Sequence, residues 1–226
     1  PGQVANLTSY NATNTDAFLT KYTSAGVYQW AQRLGGNSAA ATSPDWAFCV
    51  TPALAGGVIV GGQYYGVGLF GTLQITAQGT GQNGFFAHYD ATGACTWAKG
   101  IGGSGGEAQV YSVDVDNSGN VLVAGRFKAI IDFDGSVAAY TLTSNPTTAN
   151  DIFLCKYNSS GDLLWANPMG STGSDEAMRV HVDGTNNIFL CGYFTGTADF
   201  DPLAAVQSLT AIGGNDGFFA KYTQCT

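Results

Sequence analysis

The sequence has few charged residues, and very few of them are basic. Charged side chains make up 11% of its 226 residues, against roughly 25% in ordinary soluble domains. Only 8 are Lys or Arg against 16 Asp and Glu, so the formal net charge is −8. The basic residues are spread along the chain and form no stripe, so we expect no nucleic-acid partner. Anionic membrane surfaces would repel such a chain.

Long apolar runs and metal-binding cysteine motifs are also missing. No run approaches the roughly 18 apolar residues that cross a bilayer, so we expect no membrane insertion. The 5 cysteines include no Cys-x-x-Cys pair and no Cys/His cluster, which argues against zinc. Cys225, close to the terminus, is a candidate for a disulfide to a partner subunit. The chain begins with Pro1, so we expect either that a leader was removed or that this is a piece of a longer chain.

A catalytic set is absent as well. The 2 histidines are His88 and His181, and neither has an acid and a Ser or Cys at a motif spacing. We therefore predict that the chain is not an enzyme and has no catalytic or cofactor-binding residues.

Glycine and aromatic residues are plentiful. The chain has 32 Gly, about twice the usual share, together with 13 Phe, 11 Tyr and 4 Trp. This composition favours short strands joined by many tight turns over disorder.

One segment recurs four times without gaps, at offsets of 67, 68 and 65 residues. The copies are Asp16-Ala-Phe-Leu-Thr-Lys-Tyr22, Asn83-Gly-Phe-Phe-Ala-His-Tyr89, Asp151-Ile-Phe-Leu-Cys-Lys-Tyr157 and Asp216-Gly-Phe-Phe-Ala-Lys-Tyr222. A Trp-Ala pair follows the first three copies, and a glycine-rich stretch follows each pair. The sequence is therefore built from tandem units of roughly 66 residues.

Each unit offers four short strands separated by turn residues. We name them A, B, C and D, with examples at 178–183, 188–193, 216–222 and 162–167. Val180 and Val182 alternate with polar neighbours, as expected in a strand with one buried face. Asp90-Ala-Thr-Gly93 and Asp183-Gly-Thr-Asn186 are typical of tight turns between antiparallel strands.

At these residues the chain resembles the SBBP-type repeats, a bacterial β-propeller repeat family of secreted and surface proteins. The matching pattern is Asp-x-Phe-x-x-Lys-Tyr, then Trp-Ala, Gly-Gly, Val-x-Val-Asp and a final Phe-Thr-Gly-Thr-x-Asp-Phe-Asp-Pro. The third copy carries that last motif nearly whole, from Phe194 to Pro202. The resemblance implies propeller blades of four antiparallel strands and a bacterial origin. It implies no particular activity, because the family is defined by its blades.

We expect a single all-β repeat domain over residues 1–226. It would consist of an N-terminal C–D hairpin (1–38), a blade at 39–103, a blade at 104–173 and a blade at 174–226 that lacks its last strand. Three alternatives would explain the incomplete blade. The chain is a fragment of a longer propeller, two copies share one ring, or copies join end to end with the N-terminal hairpin of one completing the open blade of the next.

Two Asp-x-Asp pairs are the candidate metal site. Asp132 with Asp134 and Asp199 with Asp201 place two carboxylates on one side of an extended segment, where backbone carbonyls could complete a Ca²⁺ site. The alternative is a turn whose carboxylates accept backbone N–H bonds. The first unit reads Leu69-Phe-Gly71 and has lost both carboxylates, which argues against an essential metal.

A second group of acids precedes strand A, where a ring of carboxylates could hold a cation or a sugar, or only solvate the strand ends. Its members are Asp45, Glu107, Asp175 and Glu176. Tyrosines on expected loops could stack on sugars; they are Tyr64, Tyr65, Tyr140 and Tyr193. Three Asn-x-Ser/Thr triplets fit the N-glycosylation acceptor, at Asn6, Asn11 and Asn158.

From these features we expect a non-enzymatic extracellular or cell-surface structural protein, whose copies assemble into a surface layer, matrix or filament by completing one another's strands. The alternative is a propeller module that binds a glycan or a protein through one face, in the manner of an adhesin.

Overall fold

A computed structural model describes residues 6–10, 15–36, 44–54, 56–135, 139–202 and 206–224. Within these ranges the chain forms 19 β-strands and no helix. The prediction of an all-β fold built on four-stranded antiparallel sheets is confirmed. Cys225 and Asn11, which the sequence singled out, lie outside the described residues.

The strands form four main sheets, which we number in chain order. The first sheet contains β1 (Ala17–Tyr22), β2 (Tyr28–Gly36), β5 (Val67–Phe70) and β6 (Leu73–Thr76). The second contains β3 (Trp46–Pro52), β4 (Val58–Tyr64), β7 (Asn83–Tyr89) and β8 (Cys95–Ile101). The third contains β9 (Glu107–Val115), β10 (Val121–Lys128), β13 (Asn150–Tyr157) and β14 (Leu163–Met169). The fourth contains β15 (Glu176–Val182), β16 (Asn187–Phe194) and β19 (Asp216–Thr223).

The second and third sheets have their four strands in chain order, each antiparallel to the next. The same type of turn connects consecutive strands of these sheets. The side-chain oxygen of Asp90 accepts the backbone N–H groups of Thr92 and Ala94 at 2.8 and 3.0 Å. Asp116, Asn158 and Asp183 do the same in other turns. These are turns that the sequence predicts, because Asp and Asn can satisfy turn amides with their own side chains.

A short hairpin between the second and third strands of each unit is not evident from the sequence. The first is β5–β6, and the others are β11 (Ile130–Asp132) with β12 (Thr141–Thr143) and β17 (Thr197–Asp199) with β18 (Ser208–Thr210). Each hairpin pairs with the last strand of the preceding sheet, at Leu34↔Phe70, Gly102↔Asp132 and Gly170↔Asp199. The hairpins therefore tie each sheet to the one before it.

Three hydrophobic cores lie between successive sheets, one at each junction. Each core contains the same aromatic pair, in which a hairpin Phe meets a Phe from the third strand of the unit. The ring centroids are 4.8, 5.2 and 4.6 Å apart for Phe70–Phe85, Phe133–Phe153 and Phe200–Phe218. Burial of such large apolar side chains supplies most of the energy that holds the sheets face to face.

In the first and last sheets, the strand equivalent to β7 and β13 has one open edge. Among the described residues, β1 pairs only with β2, and β19 pairs only with β16. Their counterparts β7 and β13 are paired on both sides. The second strand of the N-terminal hairpin has β1 on one side and, at its end, β5 on the other. The free edge of this hairpin therefore belongs to β1.

Candidate functional site

The two Asp-x-Asp pairs lie at the ends of the inserted hairpins, and their first carboxylates act as backbone acceptors. Asp132 Oδ1 accepts the N–H groups of Asp134 and Tyr140, both at 3.0 Å. Asp199 Oδ1 accepts the N–H groups of Asp201 and Gln207 at 3.0 and 2.9 Å. This is the geometry of the turn alternative.

The residue between the two carboxylates faces the opposite way, into the core. Phe133 and Phe200 are almost fully buried. Their backbone carbonyls accept hydrogen bonds at 2.8 Å from the hydroxyls of Tyr157 and Tyr222. The Asp-Phe-Asp motif thus places its Phe and that carbonyl against the neighbouring strand, which explains why the motif recurs with an aromatic residue in the middle.

The unit without carboxylates also lacks this tyrosine bond. Phe70 takes the place of Phe133, and Tyr89 takes the place of Tyr157. The Tyr89 hydroxyl is buried beside the Cys95 thiol and has no oxygen or nitrogen partner. In the described part of the chain, no three His, Cys, Asp or Glu side chains come together in a way that could hold a metal ion.

The acids before strand A do not form one ring of equivalent carboxylates. Asp45 and Asp175 are buried. The carboxylate of Asp45 accepts the N–H groups of Gly36 and Tyr65 at 2.5 and 3.0 Å. The strand register places Ala108 at their position in the third sheet. Glu107 therefore lies one residue before the position that Asp45 and Asp175 share.

The remaining acids of this group form ion pairs, one within the third sheet and one between the third and fourth sheets. Glu107 pairs with Lys128 at 3.0 Å, and Glu176 with Arg126 at 3.0 Å. Arg126 also donates to Gln109 Oε1, and Gln109 Nε2 donates to Gln63 of the second sheet. This polar network joins the second, third and fourth sheets at one end of their strands, and it stabilises their stacking.

The two histidines lie far apart in separate surroundings. His88 Nδ1 lies 2.6 Å from Thr96 Oγ1, and its ring stacks on Trp97. Burial lowers the pKa of His88. His181 is exposed, and its Nδ1 lies 2.8 Å from Asp114 Oδ2. His181 therefore bridges the fourth and third sheets at the surface.

The described cysteines are free thiols, and burial disfavours the reactive form of three of them. Burial raises the pKa of Cys49 to about 12 and that of Cys95 to about 11. Cys155 is fully buried, and its pKa is also raised by burial. A thiol with a raised pKa is a poor nucleophile at neutral pH, because the thiolate is the reactive species.

The tyrosines considered for sugar stacking differ in how much of the ring is accessible. Tyr64 is buried against Phe70 and Phe85, so it cannot stack on a ligand. Tyr140 is partly exposed, and its hydroxyl donates to the Ala166 carbonyl at 3.3 Å. These rings form no continuous aromatic platform, because Tyr64 lies inside the first core.

The outer faces of the first and last sheets expose apolar residues that are buried everywhere else in the repeat. Phe18 of β1 is 67% exposed, whereas its counterparts Phe85, Phe153 and Phe218 are 0–6% exposed. Phe219 of β19 is 70% exposed, whereas its counterparts Phe86 and Leu154 are 0% and 2% exposed. The same side chains therefore fill a core at each internal junction and face solvent at the two ends of the stack.

The chain is similar to an uncharacterized WD repeat-containing protein of Acanthamoeba polyphaga mimivirus. The two are 30% identical over 138 residues, which cover 56% of this chain and 9% of that protein. The chain thus spans less than a tenth of its relative's length. No family model matches the chain. Together with the all-β fold, the similarity points to a propeller-type repeat. Within the described ranges, no helix is long and apolar enough to cross a membrane.

Proposed function

We propose that this chain is a non-enzymatic structural protein of propeller-type repeats, and that its copies assemble by stacking end to end. Its blades would be of the SBBP kind, and the mature protein would act outside the cell as part of a surface layer, matrix or filament. The similarity to a WD repeat-containing protein supports the blade assignment, because WD repeats form propeller blades. The proposed role depends on the two exposed end faces.

The observation that carries the proposal is the exposure of Phe18 and Phe219. Phe18 corresponds to the residue that faces the preceding sheet, as Phe85 does in the second sheet. Phe219 corresponds to the residue that faces the following sheet, as Phe86 does. The Phe219 face of one copy and the Phe18 face of another therefore correspond to the two sides of an internal junction. A second copy can pack against each exposed face.

The open strand edges lie in the same two end sheets. Among the described residues, no strand lies beside β19 on the side where β8 and β14 complete the earlier sheets, and β1 has a free edge on the side away from β2. Exposed edges of this kind are sites for association with another chain. Stacking of the last sheet of one copy on the first sheet of the next uses different surfaces on the two copies, so it forms either a ring or an open filament.

The proposal is tested by the mass of the particle as a function of protein concentration. Light scattering is expected to show a mass that rises well above that of a single 23.4 kDa chain as concentration increases. Phe219→Asp is expected to abolish this rise, because a charge on an apolar junction must be buried without a partner. Leu164→Asp is the control, because Leu164 is exposed on β14 of the third sheet, which is not an end sheet of the stack.

Two results would overturn the proposal. One is a wild-type chain that remains a monomer at every concentration, because its exposed faces then do not mediate self-association. Further repeats of a longer chain would in that case be expected to pack against these faces. Retention of such a monomer on a sugar column, abolished by substitutions in an exposed aromatic residue, would favour the glycan-binding alternative.

A further inference from the structure

The junctions before the second and fourth sheets each bury two aspartates that belong to different sheets. Asp151 is the second residue of β13 in the third sheet and is 5% exposed, and Asp175 directly precedes β15 of the fourth sheet and is 0% exposed. At the other junction Asp45 is 1% exposed, and only 4% of the Asp16 side chain is accessible. The two pairs occupy equivalent places in the repeat, since Asp45 N donates to Thr15 and Asp175 N donates to Asn150, the residues immediately before Asp16 and Asp151.

The two carboxyl groups of the second pair converge on the same space beside Gly170. Asp151 Oδ1 and Asp175 Oδ2 are each 2.9 Å from the position that a β-carbon on Gly170 would occupy. Gly170 leaves this space open because it has no side chain. The two acidic groups can therefore approach each other because position 170 is a glycine.

One oxygen in each pair is buried and has no hydrogen-bond partner among the described residues. These atoms are Asp151 Oδ1 and Asp16 Oδ1. The other oxygen of each group is satisfied, since Asp151 Oδ2 accepts the Asn145 N–H at 2.8 Å and Asp16 Oδ2 accepts the Tyr10 N–H at 2.6 Å. Asp175 accepts the N–H groups of Ser171 and Thr195. A buried acceptor without a partner destabilises the folded state, so the unpaired oxygen requires an explanation.

The junction between these two, before the third sheet, lacks both acids. Asn83 stands at the position of Asp16 and Asp151, and Ala108 at the position of Asp45 and Asp175. Asn83 Oδ1 accepts the Gln78 N–H, and its Nδ2 donates to the Gly81 carbonyl, both at 3.0 Å. Both polar atoms of the Asn83 side chain therefore have local partners, whereas a carboxyl at this position keeps one oxygen unpaired. This junction has neither acid of the pair.

We propose that each acid pair shares one proton between its two carboxyl groups, so that the junctions before the second and fourth sheets are stronger in mildly acidic than in alkaline solution. At the fourth sheet, the proton is bonded to Asp151 Oδ1 and donated to Asp175 Oδ2, which gives the open oxygen its partner and leaves one negative charge on the pair. Two buried carboxylates that face the same space ionise together only at a large cost.

The charged groups that face the two pairs support this assignment. Among the described residues no Lys, Arg or His forms an ion pair with Asp151 or Asp175, and the nearby Glu176 is paired with Arg126. At the other junction Arg33 Nε lies 3.9 Å from Asp16 Oδ2, and the backbone N–H of Tyr65 donates to Asp45 Oδ1 at 3.0 Å. Burial raises the pKa of Asp151 to about 7, with a further contribution from Asp175. Burial raises the pKa of Asp45 to about 6, with a smaller contribution from Asp16.

The sign of the pH dependence follows from proton binding. A folded-state pKa of about 6 or 7 means that the folded chain binds more protons than the unfolded chain between pH 4 and 7. Stability must then decrease as pH rises through this window. Each unit of pKa elevation corresponds to roughly a tenfold change in the ratio of folded to unfolded protein.

The test is urea unfolding at pH 5 and pH 8 for the wild type, Asp151→Asn and Asp162→Asn. The wild-type ratio of folded to unfolded protein is expected to fall at least about tenfold from pH 5 to pH 8. Asp151→Asn should reduce this fall and increase stability at pH 8, because an amide can donate to Asp175 without a proton from solution. Asp162→Asn removes an exposed carboxylate and should keep the wild-type fall.

Two outcomes would overturn the proposal. One is an Asp151→Asn variant that keeps the full wild-type loss of stability, or carbon-13 spectra in which both carboxyls of the pair are ionised at pH 6. The other is a gain of stability on adding CaCl₂ at pH 8 in the wild type but not in Asp151→Asn. That gain would show that a cation, and not a proton, occupies the pair.

Discussion

At the scale of single residues, three glycines at the same register position show how closely strands A and B approach. A β-carbon at Gly62, Gly125 or Gly192 would lie 1.9 Å from the backbone oxygen of Trp46, Gln109 or Glu176. This contact is with backbone in all three sheets, so no side chain can move away to relieve it. The position requires glycine because of space and not because of backbone torsion.

We therefore expect Gly125→Ala to lower the free energy of unfolding by about 1–3 kcal/mol, the usual cost of overpacking a core. Gly184→Ala is the matched control, since nothing lies within 4 Å of its β-carbon position, and it should be neutral or slightly stabilising. Urea unfolding followed by tryptophan fluorescence measures both. Equal losses in the two variants would contradict the steric explanation.

Three equivalent tyrosines give a second comparison at this scale. The hydroxyls of Tyr157 and Tyr222 donate to core carbonyls, whereas that of Tyr89 does not. Tyr157→Phe should lower the free energy of unfolding by about 1 kcal/mol, because it leaves the Phe133 carbonyl without this donor. Tyr89→Phe should change it by less than about 0.5 kcal/mol. A larger loss in Tyr89→Phe than in Tyr157→Phe would show that the hydrogen bond is not what matters.

At the scale of the strand and the hairpin, the inserted hairpins carry the Asp-x-Asp motif and connect neighbouring sheets. The motif places one carboxylate against two backbone N–H groups and its Phe in the core. A role in folding is thus sufficient to explain the recurrence of the motif, and the unit without it forms the tighter β5–β6 hairpin.

Substitution of one such carboxylate distinguishes a role in folding from a role in metal binding. Asp132→Ala should lower the free energy of unfolding by about 1–3 kcal/mol, because two N–H groups lose their acceptor. Asp132→Asn should retain most of the stability, since an amide oxygen can accept the same bonds. We expect CaCl₂ to leave the urea midpoint of the wild type unchanged. A rise in that midpoint, lost in Asp132→Asn, would instead support the calcium alternative.

The main strands were predictable because their signals are local. Alternating Val residues, an Asp or Asn before each tight turn and the recurring Phe-x-x-x-Tyr segment indicate strands and turns without reference to the rest of the chain. The predicted strand at 188–193 corresponds to β16 (Asn187–Phe194).

The inserted hairpins were not predictable because their strands have only three or four residues. They are held by pairing with a strand some 30 residues earlier, which leaves no local pattern. The buried acid pairs were missed for a related reason. Asp16 and Asp151 are visible as the first residue of the repeated segment, but a β-bulge and the substitution of Ala108 hide the alignment of their partners.

At the scale of the whole molecule, three internal junctions bury a repeated set of apolar side chains, and the two ends expose the same set. Phe18 and Phe219 differ from their counterparts by more than 60% in exposed fraction. This contrast is internal to one chain, so it does not depend on comparison with another protein. It leads to the central claim that the ends of two copies fit together head to tail.

Head-to-tail contact predicts a different pattern of assembly from contact between like ends. In a head-to-tail contact, Phe18→Asp and Phe219→Asp each remove one half of every junction, so each variant alone should be a monomer. Their mixture should form dimers and nothing larger, because it still offers one intact half on each partner. If like ends met, one of the single variants would still dimerise on its own.

The most direct measurement is therefore the mass distribution of an equimolar mixture of Phe18→Asp and Phe219→Asp, by analytical ultracentrifugation. We predict a species of two chains in the mixture, single chains in each variant alone, and longer assemblies in the wild type. A mixture that remains monomeric while the wild type assembles, or a single variant that still dimerises, would contradict head-to-tail stacking.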